Sequence, residues 1–138
     1  MKNYLLAFLL LFCVSIFAQN AQKENLKYVK ICQKTDLKKI GYKLVLKEVI
    51  SDSRCPENVT CIWAGEASVI VSVYKNLKLV EDKTLVFSPK NEEENKQWIA
   101  NYLTEKQRKI KNISVLPYPK EGVVINPKEY YIKIGYIK

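Results

Sequence analysis

The chain has 138 residues and carries 23 lysines and arginines against 14 acids, which gives a formal net charge of +9. It contains no histidine, and this excludes Ser-His-Asp and Cys-His catalysis, histidine-ligated zinc and proton transfer by imidazole. Only four glycines are present, so the chain also lacks a Gly-rich phosphate-binding loop.

The positive charge is carried almost wholly by lysines that are scattered along the chain. Scattered lysines are typical of a solvated, solubilising surface, and the sequence has no Arg-rich block or aromatic RNA-binding motif. We therefore expect no specific nucleic-acid partner. Any adhesion to acidic glycans, lipid headgroups or nucleic acid is expected to be nonspecific and salt-sensitive.

The first eighteen residues have the pattern of a secretory signal peptide. A short amino-terminal region with one lysine precedes an apolar run over residues 4–17, which is shorter than the roughly 20 residues of a membrane-spanning helix. Ala18 before Gln19 is the predicted cleavage point. Cleavage leaves residues 19–138 as one secreted or periplasmic domain without an integral membrane segment. A lipid anchor on Cys13 and a retained signal helix are lesser alternatives.

Three cysteines follow the predicted cleavage point, Cys32, Cys55 and Cys61. An odd number allows one intramolecular disulfide and leaves one thiol. We expect Cys55 to pair with Cys61, because turn-forming Pro56 and Asn58 lie between them and closing the short ring stabilises the fold by about 2.4 kcal/mol in a chain-entropy treatment. Cys32 is then a free thiol, either a small buried hydrophobe or a group available for redox chemistry or intermolecular pairing. Three thiolates are too few for a cysteine-only zinc site.

Before and after the cysteine pair the pattern predicts β-strands. Alternating polar and apolar residues indicate strands over Leu26–Gln33 and Tyr42–Ile50. Ala67–Tyr74 is dense in valine and isoleucine, so we expect it to be the most buried strand. Two short strands, Leu77–Val80 and Thr84–Phe87, follow.

The sequence pattern changes from strand-like to helical at Asn91, and a helix is predicted over Glu92–Arg108. Asn91 with Glu94 three residues later is a plausible N-cap, and acids in the first turn suit the helix dipole. The apolar face of this helix is expected to pack on the core through four side chains: Trp98, Ile99, Tyr102 and Leu103.

Strand patterns resume after the helix, over Lys109–Leu116, Val123–Asn126 and Glu129–Ile137, with Pro117–Pro119 as a break. The inventory is six to eight short strands, one helix and no βαβ rhythm. The predicted fold is therefore mainly β, an antiparallel sandwich or open barrel with one helical insertion.

The segment 51–67 is the part of the chain that strand patterning does not explain. Trp63 follows the predicted ring closely, and we expect it to fill one end of the sandwich or barrel and to lie against the disulfide. Gly65 allows a bulge or a positive φ just before the next strand. Arg54 is expected to pair with Asp52 or Glu66. Two interpretations stay open: a structural corner of the fold, or a recognition loop.

The same segment resembles a group of small exported bacterial proteins of uncharacterised function. The resemblance lies in Asp52–Pro56 and in the Cys-x-Trp-Ala-Gly-Glu-Ala run of Cys61–Ala67. A later Pro-Tyr-Pro, Pro117–Pro119, and a tyrosine-bearing last strand, Tyr130–Ile137, are also similar. The resemblance implies export and a common small fold, and it supplies no activity, substrate or catalytic residue.

The leading hypothesis from the sequence is a non-catalytic binding or interaction module, whose partner is an unknown protein or glycan. It requires no cofactor and no metal. Arg54, Glu57 and Asn58 are then expected to project into solvent. The candidate interaction loop comprises six residues: Asp52, Arg54, Glu57, Asn58, Trp63 and Glu66.

Three other functions remain open. A structural cell-envelope protein would use the disulfide only as a crosslink, and dimers through Cys32 would favour it. A protease inhibitor would insert the loop into an active site as a substrate mimic. A hydrolase or a calcium site would need Asp52, Glu57 and Glu66 to lie close together.

Overall fold

The computed structural model describes residues 25–38 and 40–137. The predicted signal peptide, its cleavage point and Cys13 lie outside the described residues. In this part of the chain, no helix has both the length and the apolar character that crossing a membrane requires. The described elements, in chain order, are β1 (Leu26–Ile31), β2 (Tyr42–Asp52), β3 (Ala67–Lys75), β4 (Lys78–Phe87), α1 (Glu92–Ala100), a 3-10 helix (Glu105–Gln107), β5 (Ile110–Leu116), a second 3-10 helix (Pro127–Glu129) and β6 (Tyr131–Ile137).

The strands form two antiparallel sheets of three strands each. β2, β3 and β4 follow one another in space as they do in sequence, and we call them the meander sheet. The strand order β1-β6-β5 brings the first and last strands together, and we call this the terminal sheet. Inward side chains of both sheets and of α1 share one hydrophobic core, so the domain resembles a small sandwich rather than a closed barrel. The predicted fold class is confirmed.

β3 is the central strand of the meander sheet and is the most buried strand, as the sequence predicted. Ala67, Val69, Val71 and Val73 have no exposed surface, because both neighbouring strands and the opposite sheet cover them. Burying each valine contributes roughly 1.5–3 kcal/mol to folding, so this strand is a main source of stability.

β2 reaches both sheets because it is bent. Its register with β3 shifts between Leu46 and Glu48 and again between Val49 and Ser51, as it does at β-bulges. The Leu46 N–H donates to the Cys32 carbonyl at 3.0 Å, which joins β2 to the end of β1.

Two predicted boundaries were wrong because contacts distant in sequence override the local pattern. β4 is one continuous strand rather than two short ones, since its middle residue Asp82 accepts a hydrogen bond from Ser72 of β3 at 2.5 Å and pairs with Lys47 of β2 at 2.6 Å. The helix ends at Ala100 rather than at Arg108, and the chain continues as a turn and a 3-10 helix. Its predicted apolar face nevertheless packs on the core.

Three smaller predictions also differ from the structure. The Asn91 side chain makes no capping hydrogen bond to the helix, because it accepts one from the Ser88 hydroxyl instead. Residues 123–126 form no strand, and the Val124 side chain is almost fully exposed. β6 begins two residues later than predicted, at Tyr131, because the 3-10 helix precedes it.

Candidate functional site

The predicted disulfide between Cys55 and Cys61 is present, with the two Cα atoms 5.9 Å apart. The two arms of the loop, the segment before Cys55 and the segment after Cys61, continue the antiparallel pairing of β2 and β3. The Ser53 N–H donates to the Glu66 carbonyl at 2.8 Å, and the Cys55 N–H donates to the Ala64 carbonyl at 2.9 Å. The loop is therefore fixed both by a covalent bond and by backbone hydrogen bonds.

Gly65 is required where the two arms come closest. Its φ is +70°, and a Cβ atom at this position would lie 1.9 Å from the Ser53 carbonyl oxygen. A larger residue cannot fit without moving the backbone, and it would also be strained by the positive φ. The predicted positive φ before β3 is confirmed.

Arg54 is buried, contrary to the expectation that it projects into solvent, with 8% of its side chain exposed. Its Nε and Nη2 atoms donate to the two carboxylate oxygens of Asp52 at 2.7 and 2.6 Å. Its remaining bonds go to backbone carbonyls at the end of β5, Val115 at 2.5 Å and Pro117 at 3.1 Å. The Tyr118 ring lies 4.6 Å from the guanidinium carbon. Arg54 thus joins the meander sheet to the terminal sheet.

Asp52 is the buried partner of this arginine and also accepts a hydrogen bond from the Tyr130 hydroxyl at 3.1 Å. Burial by itself raises the pKa of Asp52, but the hydrogen bonds and charge of Arg54, with the Tyr130 hydroxyl, bring it below its ordinary value of 3.8. Burial and the nearby Asp52 charge raise the pKa of Tyr130. Asp52 therefore stays ionised and is fully bonded, which makes it a structural group.

Glu57 and Asn58 are exposed, as predicted. The Glu57 N–H donates to the Pro119 carbonyl at 2.9 Å, and the Glu57 carboxylate lies 3.9 Å from the Lys120 ammonium group. Asn58 has a φ of 64°, a left-handed conformation that asparagine tolerates in turns. The loop is thereby also held against the segment that follows β5.

Trp63 does not fill the end of the sandwich, because 74% of its surface is exposed. Its neighbour Ile62 is 96% exposed, and Val59 inside the ring is partly exposed. We call Val59, Ile62 and Trp63 the loop tip. Sequence reasoning missed Ile62. A signal was available, since two large apolar neighbours in an extended segment point to opposite sides, and both cannot enter one core.

A cleft of about 250 Å³ lies at the foot of the loop, between the loop, the end of β4, the first turn of α1 and β5. Its walls include Gly65, Phe87, Ile113 and Tyr118, and the buried Arg54 lies at one side with its donors already engaged. The cleft is mostly apolar, so it can accept an apolar side chain rather than a charged group.

The three loop carboxylates have different environments in the structure. Asp52 is taken up by Arg54, Glu57 approaches Lys120, and Glu66 is exposed. Among residues 25–38 and 40–137 there is also no cluster of three or more histidine, cysteine, aspartate or glutamate side chains that could hold a metal ion. The geometry therefore gives no support to a hydrolase or a calcium site at this loop.

Cys32 is the one free cysteine in the described part of the chain, and it is partly buried just after β1. Its backbone carbonyl is used by Leu46, and its thiol lies outside the loop.

No family model, no curated protein and no solved structure matches this chain.

Proposed function

We propose that this domain is an exported interaction module that docks on a protein partner through its loop tip. The observation that carries the proposal is the exposure of Ile62 and Trp63 on a loop that a disulfide closes and Arg54 holds. The partner contact then involves the tip, while the charged candidates Asp52 and Arg54 support it from inside the domain.

Exposure of Ile62 and Trp63 to water costs free energy that a partner surface can recover. Burial of apolar surface is worth roughly 25 cal/mol per Å², so a bare tryptophan and isoleucine forgo several kcal/mol that a partner surface can recover. Tryptophan is also enriched among the residues that dominate protein–protein binding energies. Because the loop is already fixed, docking costs little conformational entropy.

A protein fits the loop tip better than a glycan does. A sugar is bound by an aromatic ring together with hydrogen-bonding side chains. The exposed Asn58 and Thr60 could form hydrogen bonds with a sugar, but the other two side chains of the loop tip, Ile62 and Val59, are aliphatic. They gain free energy only against another apolar surface.

Export is part of the proposal. A disulfide persists in oxidising compartments such as the periplasm or the cell exterior. The predicted signal peptide, the predicted cleavage before Gln19 and the resemblance of the loop to small exported bacterial proteins agree with this placement.

Photo-crosslinking in the producing cell tests the proposal. A photoreactive side chain replaces Ile62, and a matched variant carries it at Leu79, which is 53% exposed on β4. We expect a discrete adduct at position 62, with peptides of a second protein in its mass spectrum, and weaker labelling when Trp63→Ser is added. Equal labelling at both positions, or an adduct without foreign peptides, would overturn the proposal.

A trypsin-like protease inhibitor is less compatible with this geometry. Such an enzyme recognises an exposed basic side chain, whereas the Arg54 guanidinium is buried between Asp52 and the carbonyls of β5.

A further inference from the structure

The two sheets differ in how charge is distributed. The strands of the meander sheet mix lysines with acids, whereas the three strands of the terminal sheet contain no aspartate or glutamate. The acids of the meander sheet are four: Glu48, Asp52, Glu81 and Asp82. The lysines of the terminal sheet are also four: Lys27, Lys30, Lys111 and Lys133. The terminal sheet therefore carries lysines with no acid on its own strands.

Two of these lysines meet on the outward face of the terminal sheet. Ile31 and Ile132 point into the core, so alternation along β1 and β6 turns Lys30 and Lys133 outward. These two lysines are direct cross-strand partners. We call the outward surface around them the Tyr-Lys face, and it comprises six residues: Tyr28, Lys30, Asn112, Ser114, Tyr131 and Lys133.

Each central lysine lies against a tyrosine ring. The Lys133 ammonium is 4.0 Å from the centroid of Tyr28, and the Lys30 ammonium is 4.6 Å from the centroid of Tyr131. Such contacts offset part of the repulsion that like charges experience when they face each other across two strands. The two rings lie on opposite sides of the Lys30 and Lys133 pair along the strands, so the two ammonium groups point toward different ends of the face. Within the described residues neither lysine forms an ion pair.

Several lysines outside the terminal sheet form ion pairs with acids. Lys47 pairs with Asp82 at 2.6 Å, and Lys96 pairs with Glu92 at 2.8 Å. Lys75 and Lys78 on the meander sheet likewise form no ion pair among the described residues, so the feature that distinguishes the Lys30 and Lys133 pair is a sheet whose strands carry no acid.

The Tyr-Lys face is flat at its centre because Gly135 has no side chain. A Cβ atom at this position would lie 2.2 Å from Asn112 Oδ1 and 3.2 Å from Tyr28 Cε1, so these two side chains lie across the glycine. The surface is a shallow, polar platform, about 10 Å wide across three strands.

We propose that the Tyr-Lys face binds an acidic polysaccharide, whose carboxylate or sulfate groups contact Lys30 and Lys133. Charge complementarity carries the inference: acid groups of the polymer accept hydrogen bonds from the two ammonium groups and offset their mutual repulsion. A polymer fits better than a single ion, because repeated acid groups along a flat surface add contacts and keep the local concentration of ligand high.

Two other polyanions fit the face less well. Single-stranded nucleic acid binds by stacking bases on open aromatic rings, and here an ammonium group already lies against each tyrosine. A membrane surface favours protruding apolar side chains beside the basic ones, and the most exposed of these, Ile40, Ile62 and Val124, belong to loops outside the terminal sheet.

Calorimetric titration tests the proposal with a heparin fragment as the sulfated probe and a polygalacturonate oligomer as the carboxylated one. Lys30→Gln with Lys133→Gln removes the proposed pair. Lys75→Gln with Lys78→Gln is the matched control, because these lysines are also direct cross-strand partners and lie on the meander sheet. Both double variants lose the same charge, so nonspecific attraction falls equally in the two.

We expect the terminal-sheet variant to bind at least one probe about tenfold more weakly at about 0.15 M salt, since each exposed ion pair is worth up to roughly fivefold. The meander-sheet control is expected to change by less than about twofold. Lys30→Arg with Lys133→Arg retains both charges and should keep most of the affinity.

Three results would overturn the assignment: equal losses in the two lysine-to-glutamine variants, no measurable binding of either probe, or tighter binding to anionic vesicles or to single-stranded DNA than to both polysaccharides. Circular dichroism of every variant establishes that the fold is intact. Trp63→Ser should leave polysaccharide binding unchanged, so this proposal and the loop-tip proposal fail independently.

Discussion

At the base of the cysteine loop the charged side chains of Asp52 and Arg54 are buried, whereas at its tip the apolar side chains of Ile62 and Trp63 face solvent. The base is completely bonded within the domain, to Tyr130 and to carbonyls of β5. At the tip, by contrast, the Ile62 and Trp63 side chains are 96% and 74% exposed. The loop therefore reverses two expectations: the charged pair that suggested a binding site is part of the interior of the fold, and Trp63, which was expected in the core, is exposed.

The largest effect is expected from removal of the Arg54 positive charge at the base of the loop. Arg54→Met leaves the Asp52 carboxylate buried without its partner, and we expect the free energy of unfolding to fall by about 3–5 kcal/mol. Urea denaturation followed by circular dichroism measures the change. Arg108→Met is the control, because this second arginine is exposed, and it should change stability by less than about 0.5 kcal/mol.

Adding Asp52→Asn to Arg54→Met distinguishes two causes of that loss, an unpaired buried charge and the lost packing of the arginine. If the cost comes from an unpaired buried charge, the double variant recovers part of the stability. No recovery would mean that the packing of the arginine against Tyr118 and the β5 carbonyls matters more than the ion pair.

The disulfide is the next largest expected contribution. Replacing Cys55 and Cys61 together with serine should lower the free energy of unfolding by about 2.4 kcal/mol, because the unfolded chain regains the freedom that the ring removes. Reduction of the wild-type protein should give a similar loss. Cys32→Ser is the control and should cost little, since this thiol is only partly buried and unpaired. A negligible effect of the double replacement would indicate that the backbone hydrogen bonds alone fix the loop.

The Tyr130 hydroxyl gives a smaller, pH-dependent test of the base. Tyr130→Phe removes one hydrogen bond to Asp52, which is worth roughly 0.5–1.5 kcal/mol near neutral pH. The folded state holds the pKa of Asp52 below its ordinary value of 3.8, so this stability is present above the ordinary value and is lost as the pH falls through the folded-state pKa. The difference between variant and wild type should therefore shrink below about pH 4.

Tyr136→Phe on β6, the strand that directly follows Tyr130, is the matched control. We expect it to give a small difference that does not change between neutral and acidic pH. If Tyr130→Phe behaves in the same way, the hydroxyl of Tyr130 is not coupled to the ionisation of Asp52.

Local sequence patterns were sufficient for the parts of the fold that local physics decides. The valines and isoleucines of β3 indicated the central strand, and the turn formers between Cys55 and Cys61 indicated the disulfide. Gly65 was recognisable because only glycine suits a positive φ at a close approach of two chains.

The site itself depended on partners far away in the chain, which the local pattern does not contain. The burial of Arg54 follows from carbonyls at Val115 and Pro117, more than sixty residues later in sequence. The segregation of lysines on the terminal sheet follows from the pairing of β1 with β6 across almost the whole domain. The sequence alone does not distinguish scattered lysines from lysines that share one sheet, because it does not give the strand order.

The smallest expected change in stability comes from a substitution at the loop tip, and it tests whether the tip serves binding or folding. Trp63→Ser should alter the free energy of unfolding by less than about 0.5 kcal/mol, because the ring is 74% exposed and supports no part of the core. Trp98→Ser should cost about 3 kcal/mol by contrast. The Trp98 indole N–H donates to Glu81 at 3.0 Å, and its ring packs edge-on against Tyr102 with the centroids 5.2 Å apart. If both substitutions destabilise the protein equally, the tip is part of the structural base after all. If Trp63→Ser leaves the fold intact but abolishes crosslinking from position 62, the exposed tryptophan serves a partner rather than the domain.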